Sequence, residues 1–302
     1  MPAISVLMLT YNRETLVARA IESVLSQTFT DFEYIIVNNG STDRSGTIAD
    51  EYAVKDKRIQ VIHWKKGSIG SGRNAALHLA KGEYLAFIDD DDWCEPDFLE
   101  FLYHLVIENN ADVAICGAAD KVYDEKLIMT PKEAVIELLW RKRYNMAFPT
   151  KLFTQSLGKQ LHFPEKDKYD DISQMYRLLA CANHVAYHGL PKYTFYRHEN
   201  NNSAWTTNHA MLNAETLEEY LKTHRKRTEW LSEVFTDSVG TWRYFEWSFM
   251  ISMVEKIKRL GIAECEAQLG RMIEILRDNL NEFMECELIL DFEKEWVENY
   301  VK

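Results

Sequence analysis

The amino-acid sequence predicts an α/β fold: a mostly parallel central sheet flanked by helices, with a helical extension at the C-terminal end. Two observations predict it. Short β-branched or aromatic runs alternate with helix-length segments through the first part of the chain, the pattern of βαβ units around a parallel sheet. After Trp205 the character changes: Glu, Lys and Leu become frequent, Pro is absent, and only Gly240 interrupts before Gly261.

The early strands are expected at Ile4–Leu9, Glu33–Val37, Ile59–His63 and Tyr84–Ile88, each bounded by polar or turn residues. Helices are expected near Glu14–Gln27, Ser45–Val54, Gly72–Ala80 and Pro96–Asn109, with a further strand at Val113–Cys116. The pattern then loosens into a helix from about Pro131 to Arg143, the stretch Phe148–Phe153, an acidic segment ending in Asp170-Asp171, and a helix to about Ala182. A boundary is placed near Asn208. Residues 1–208 form one expected domain, divided at 94 into two halves, and residues 209–302 form a helical region. In that region Trp242, Phe245, Phe249, Met253 and Ile257 recur at steps of three and four, as one face of a packing helix does.

At 302 residues the chain exceeds one average domain and can bury a full core. The net charge of −12 argues against general nucleic-acid binding, which draws on Lys and Arg to neutralise phosphates. An acidic chain that handles an anionic ligand needs local help from a divalent cation or from well-placed Arg and Lys. Cys94, Cys116, Cys181, Cys265 and Cys286 are widely spaced, with no C-x-x-C pair, so neither a disulfide framework nor a zinc site is indicated. The N-terminus carries no basic-then-apolar leader, and no apolar run is long enough to cross a bilayer. A cytoplasmic location is therefore expected. The Trp242–Arg259 helix is read first as packing on the domain, with peripheral attachment at the inner face of the plasma membrane as the alternative.

In open α/β sheets ligands bind beyond the carboxyl ends of the strands. Strand one is followed there by Thr10-Tyr11-Asn12, strand two by Asn38-Asn39-Gly40-Ser41-Thr42-Asp43, and strand four by Asp89-Asp90-Asp91-Asp92. Aromatic stacking, amide and hydroxyl hydrogen bonds and anionic oxygens at one sheet edge suit a nucleotide diphosphate with a metal. No G-x-G-x-x-G follows the first strand and no G-x-x-x-x-G-K-[ST] occurs, which argues against a dinucleotide-binding dehydrogenase and a P-loop enzyme. Adjacent aspartates raise one another's pKa unless solvent or a cation compensates, and hard oxygen ligands select Mg²⁺ or Mn²⁺. The plainer reading is that these aspartates face solvent and cap the helix near Pro96.

In the order and spacing of these pieces the chain resembles the family 2 glycosyltransferases of GT-A fold, most of all their bacterial members that assemble surface polysaccharides. The likeness covers roughly residues 3–205. It rests on Ile4 to Asn12, on Gly40-Ser41-Thr42-Asp43, on Arg73-Asn74 after the Gly-rich 67–72, and on Asp89-x-Asp91, similar to the family's D-x-D motif. The resemblance implies transfer of a sugar from a nucleotide-sugar donor to a hydroxyl of a saccharide or glycolipid acceptor, with inversion. By it Asp89 meets the donor nucleotide near its ribose, Asp91 binds a divalent metal bridging the diphosphate, and Thr10, Tyr11, Asn12, Asn39, Arg73 and Asp90 complete the nucleotide site. Arg73 is equally well read as a structural ion pair.

Downstream, Lys151-Leu152-Phe153, Phe163-Pro164-Glu165 and Tyr169-Asp170-Asp171-Ile172 resemble the family's acceptor-side segment. There Asp171 corresponds to the general base, although Asp at a helix start is also an ordinary N-cap. Tyr196-Arg197-His198 followed by Ser203 resembles a segment that closes over the diphosphate. Asp92, Asp170, Arg197 and His198 are thus candidate diphosphate or acceptor contacts, while a histidine in such a loop is commonly structural. The family usually has Asp-Asp before Gly-Ser, where this chain has Asn38-Asn39. The Asn39 carbonyl can still accept from a uracil N–H, but its amide can also donate to another base, so UDP is favoured without being fixed. A sugar nucleotidyltransferase and a catalytically silent nucleotide-sugar-binding protein are the rival readings.

Overall fold

A computed structural model of the chain describes residues 1–119, 123–166, 170–198 and 212–302. The expected boundary near Asn208 and the motif residues Tyr169, Ser203 and Trp205 lie outside the described residues. The chain divides into two compact units, Met1–Tyr196 and Arg197–Lys302.

The first unit is built on one mixed sheet. Its strands are β1 (Ile4–Thr10), β2 (Phe32–Asn38), β3 (Ile59–His63), β4 (Tyr84–Asp89), β5 (Trp93–Cys94), β6 (Val113–Ala118), β7 (Lys126–Met129), β8 (Lys151–Thr154) and β9 (Val185–Thr194). The order is β3-β2-β1-β4-β8-β6-β9-β5, with β7 on β9. As expected, β1 to β4 are parallel; β1, β2 and β4 are almost wholly buried, which explains their continuous apolar character, while β3 at the sheet edge is buried only at Ile59. Beyond them the sheet departs from the expected parallel arrangement. β8 inserts antiparallel between β4 and β6, pairing Leu85 with Phe153 and Ala114 with Leu152.

Helices α1 (Val17–Leu25), α2 (Ser45–Lys55), α3 (Ile69–Leu79), α4 (Phe98–Glu108), α5 (Pro131–Trp140), α6 (Gln155–Gly158) and α7 (Asp170–Ala180) flank the sheet. α1 starts three residues later than expected because Arg13 to Leu16 form a turn, with the Leu16 N–H bonded to the Arg13 carbonyl. α3 starts earlier than its glycines suggested. The Ser68 side chain caps it by accepting from the Ser71 N–H at 3.1 Å, so the Gly-rich segment is helical. α5 carries a capping box between Thr130 and Glu133 with Pro131 at its first position.

Since β1 pairs with β2 on one side and β4 on the other, chain direction across the sheet reverses there, and a crevice opens beyond Thr10 and Asp89. α3 and the Phe163-Pro164 segment meet beside it. The Asn74 amide donates to the Phe163 carbonyl and accepts from the Phe163 N–H, both at 2.9 Å. Gly70 makes the approach possible, because a Cβ there would lie 2.2 Å from the Pro164 carbonyl oxygen.

The second unit is helical: α8 (Ala214–Val234), α9 (Val239–Leu260), α10 (Glu266–Asp278), α11 (Leu280–Met284) and α12 (Asp291–Tyr300), with short 3₁₀ turns between. α9 packs against α8, α10 and α12. Trp242, Phe245, Met253 and Ile257 of its aromatic stripe are buried, so packing among helices occupies that face. Among the described residues no helix is long and apolar enough to cross a membrane.

Gly70→Ala gains helix propensity but forces α3 and Pro164 apart. A net loss of about 1–2 kcal/mol is expected by urea unfolding, since overpacking outweighs the gain. A stabilised variant would contradict the close approach.

Candidate active site

The loops after β1, β2 and β3 are laced into one wall. Asn12 sits at φ +52°, a left-handed backbone that Asn tolerates better than most residues. Its N–H donates to Ser41 Oγ at 3.1 Å, and its Oδ1 accepts from the Thr42 N–H at 2.8 Å. The Arg13 N–H donates to Ser45 Oγ at 2.7 Å. Gly40, at φ +74°, lets the backbone of Lys66 approach to where a Cβ would stand 2.6 Å from its nitrogen. Asn39 is buried, and its amide donates to the Gly67 carbonyl and accepts from the Gly67 N–H, both at 3.0 Å. The Tyr11 ring lies at the edge of this wall with Lys66 Nζ 4.8 Å from its centroid.

The four aspartates after β4 have four different surroundings. Asp89 ends the strand with its side chain 40 % exposed, facing Arg73 at 3.7 Å. Asp90 accepts from the Tyr11 N–H at 3.1 Å and lies 3.7 Å from the Arg13 guanidinium. Asp91 lies 3.8 Å from the same guanidinium. Asp92 turns inward, accepting from the Tyr193 hydroxyl at 2.8 Å and the Tyr196 N–H at 2.7 Å. Tyr193 also receives the Asp89 N–H at 3.1 Å, which ties the end of β4 to the end of β9. Burial, and then the neighbouring Asp91 charge, push the Asp90 carboxyl up to about 7. Partial burial at the strand end, and then the Asp92 charge, raise the Asp89 carboxyl above the usual carboxylate range, against the pull of Arg73.

Arg73, on α3, joins this edge to the opposite side of the crevice. Its guanidinium is buried among Phe87, Phe148 and Phe163, 5.3 to 5.6 Å from the ring centroids. It pairs with Asp170 at 2.8 Å and directly with Asp171, both in the first turn of α7. Burial opposes its charge, but Asp170, Asp171 and Asp89 together outweigh that and hold it protonated. Burial pushes the Asp171 carboxyl up to about 6 even though Arg73 draws it down. The Asp171 side chain remains 27 % exposed against 11 % for Asp170, so Asp171 is the one a second substrate could reach. Arg197 is exposed and His198 half-buried, and together they open the second unit.

Residues 5–165 match the sequence profile described as Glycosyl transferase family 2. The chain belongs to that family. Among the family's curated members it is 34 % identical over 212 residues to EpsH of Bacillus subtilis, across 65 % of this chain and 61 % of that protein. It is 31 % identical over 204 residues to glycosyltransferase GlyG of Streptococcus pneumoniae, across 61 % of this chain and 67 % of GlyG. The chain thus spans about three-fifths to two-thirds of the length of these relatives. In three dimensions it is similar to S. aureus TarS 1-349, solved in complex with UDP-GlcNAc, with TM-score 0.72, 21 % identity, and coverage of 93 % of this chain and 83 % of that one. That likeness shows the GT-A fold. A mannosyltransferase from Pyrobaculum calidifontis, solved with GDP-Man and Mn²⁺, is similar at TM-score 0.57 and 14 % identity, covering 98 % of this chain and 83 % of that one.

In this family 2 chain the crevice brings together Thr10, Tyr11, Asn12, Arg73, Asp89, Asp90, Asp91, Asp170 and Asp171 from segments distant in sequence. Sequence reading missed Arg13, which faces two of the aspartates, and Lys151, which is fully buried and donates to the Ala147 carbonyl at 2.7 Å. Arg13 adjoins the Tyr-Asn turn and was open to recognition as a cation beside carboxylates; the burial of Lys151 has no local signal. Among the described residues no group of His, Cys, Asp or Glu forms a three-ligand metal cage. One or two carboxylates at a crevice suit a cation that takes its remaining ligands from substrate phosphates and water, as Mg²⁺ commonly does.

Arg73→Met strands Asp170 and Asp171 beside a buried apolar side chain. A loss of about 3–5 kcal/mol in unfolding free energy at neutral pH is expected by denaturant titration. A variant as stable as the wild type would show that these carboxylates do not depend on the guanidinium.

Proposed function

We propose that the chain is an inverting glycosyltransferase that moves a sugar from a nucleotide-sugar, UDP-sugar favoured, to a hydroxyl of a saccharide or glycolipid acceptor in cell-surface polysaccharide synthesis. The observation that carries this reading is the placement of Asp171: reachable, pushed up to about 6, and tied through Arg73 to Asp89 across the crevice. The family's activity, the UDP-GlcNAc complex of TarS and the Mn²⁺ complex of the mannosyltransferase support it.

In this reading the base and ribose lie along Thr10, Tyr11, Asn12 and Asn39, with Asp90 holding the Tyr11 backbone. Because both faces of the Asn39 amide already engage Gly67, its remaining carbonyl lone pair is what a uracil N–H would meet. Asp89 receives the ribose hydroxyls. Residues up to 94 form the nucleotide half and those from 95 to 208 the acceptor half. Asp91 holds the divalent cation, which when bound acts as a Lewis acid for the negative charge that develops on the departing diphosphate. Arg73 fixes the direction of Asp171. Asp171 takes the proton of the acceptor hydroxyl as that oxygen attacks the anomeric carbon from the side opposite the diphosphate. Asp170 is assigned to holding Arg73. With the α9 stripe buried, any peripheral membrane contact would use another face of the helical unit.

UDP-sugar turnover with Mn²⁺ or Mg²⁺ tests the assignment. Asp91→Ala is expected to remove metal-dependent turnover, and wild-type-like activity would sink the metal role. Asp171→Asn should lower transfer by about 10²- to 10⁴-fold, the usual contribution of a positioned base. A base acts only when deprotonated, and burial raises this carboxyl to about 6, so kcat/KM should be full above that pH and fall as pH drops through it. A profile flat through that range would exclude Asp171. Binding of UDP with no transfer or hydrolysis across donor sugars would favour the silent-binder alternative.

A further inference from the structure

Arg19 has no part in the chemistry above, yet its guanidinium lies against the acidic turn. α1 buries Val17, Ala20, Ile21 and Val24 against the core, and Arg19 on the same helix is half-buried. Its Nη2 donates to the backbone carbonyl of Asp91 at 2.7 Å. Its guanidinium carbon stands 4.1 Å from the Trp93 ring centroid and 4.4 Å from that of Tyr196, two rings themselves 5.8 Å apart. Its Nε is buried and has no hydrogen-bond partner among the described residues, so the rings and one carbonyl define its position. Both rings belong to elements that hold the same turn. Trp93 pairs with Thr194 where β5 meets β9, and the Tyr196 N–H donates to Asp92.

We propose that Arg19 is a positioning residue for Asp91, setting the direction of its carboxylate by holding its carbonyl between β4 and β5. This rests on the reading of Asp91 as the cation ligand. Fixing the carbonyl fixes the peptide plane that follows Asp91, which constrains its ψ and hence how its Cβ is presented at the crevice. Contact with two rings tilted 47° to each other, together with the carbonyl, restrains the guanidinium; an ammonium on a flexible stem gains less restraint.

The test is Mn²⁺ binding in the presence of saturating UDP, read from the loss of the free-ion electron paramagnetic resonance signal against UDP alone, with no turnover involved. Arg19→Met, which keeps the packed stem, is expected to weaken Mn²⁺ by about tenfold or more, the usual cost of removing a partner that orients a ligand. Arg19→Lys should recover only part of that loss, and UDP binding without metal should stay at the wild-type level in both. A residue that merely fills space would lower the unfolding midpoint and leave Mn²⁺ affinity alone. Mn²⁺ affinity within about twofold of wild type in Arg19→Met, with Asp91→Ala abolishing binding, overturns the role of Arg19 and leaves that of Asp91 intact. Mn²⁺ affinity retained in Asp91→Ala overturns both. Should Arg19→Met fail to fold, Arg19→Lys decides alone: unchanged affinity overturns the proposal, and a measurable loss supports it.

Discussion

A buried guanidinium must be paired, and Arg73 is buried where three aromatic rings close around it and three carboxylates face it. That constraint organises the crevice. Asp89 comes from the end of β4, Asp170 and Asp171 from the start of α7, and the rings from β4 and the segments around 148 and 163, so one cation gathers both sides. Asn74, next along α3, pins Phe163 from the same helix and holds one of those rings in place. The Arg-Asn pair thus acts as a joint, with one residue supplying charge and the other backbone pairing.

The same economy divides the aspartate run. Asp90 and Asp92 look inward, one to the β1 turn and the other to Tyr193 and Tyr196, and so give the turn its shape. That leaves Asp89 as the most exposed of the four, while Asp91 is buried beside the Arg13 guanidinium that Asp90 also faces. A run of carboxylates is costly to bury and to crowd, and the raised proton affinity of Asp89 and Asp90 comes first from burial and then from the neighbouring carboxylates. Asp171 stands apart. Its basicity is set by a contest between burial and Arg73, which leaves it near neutrality and still open to solvent.

Much of the crevice could be read in the sequence because its pieces are local signals: apolar runs, each followed by a short polar loop. β1 to β4 appear at their expected places for that reason. What escaped depends on partners far along the chain. The Asp171 partner of Arg73 is 98 residues away, and nothing near Arg73 announces three phenyl rings. β9 is broken in sequence by Gly189 and Pro191, which usually argue against a strand, and it accommodates them through irregular register against β6 at Gly117. β8 is four residues long and antiparallel, too short for periodicity to speak. The α9 stripe was legible as an apolar face, while its burial against other helices is a tertiary fact.

The most direct measurement of the account is a crystal structure of the chain with UDP and Mn²⁺. The ion should lie on Asp91 and the diphosphate, with Arg73 still bridging Asp89 to Asp171, and Asp171 on the side of the anomeric position opposite the diphosphate. An ion held away from Asp91, or an Asp171 carboxylate turned out of the crevice with Arg73 released, would contradict it.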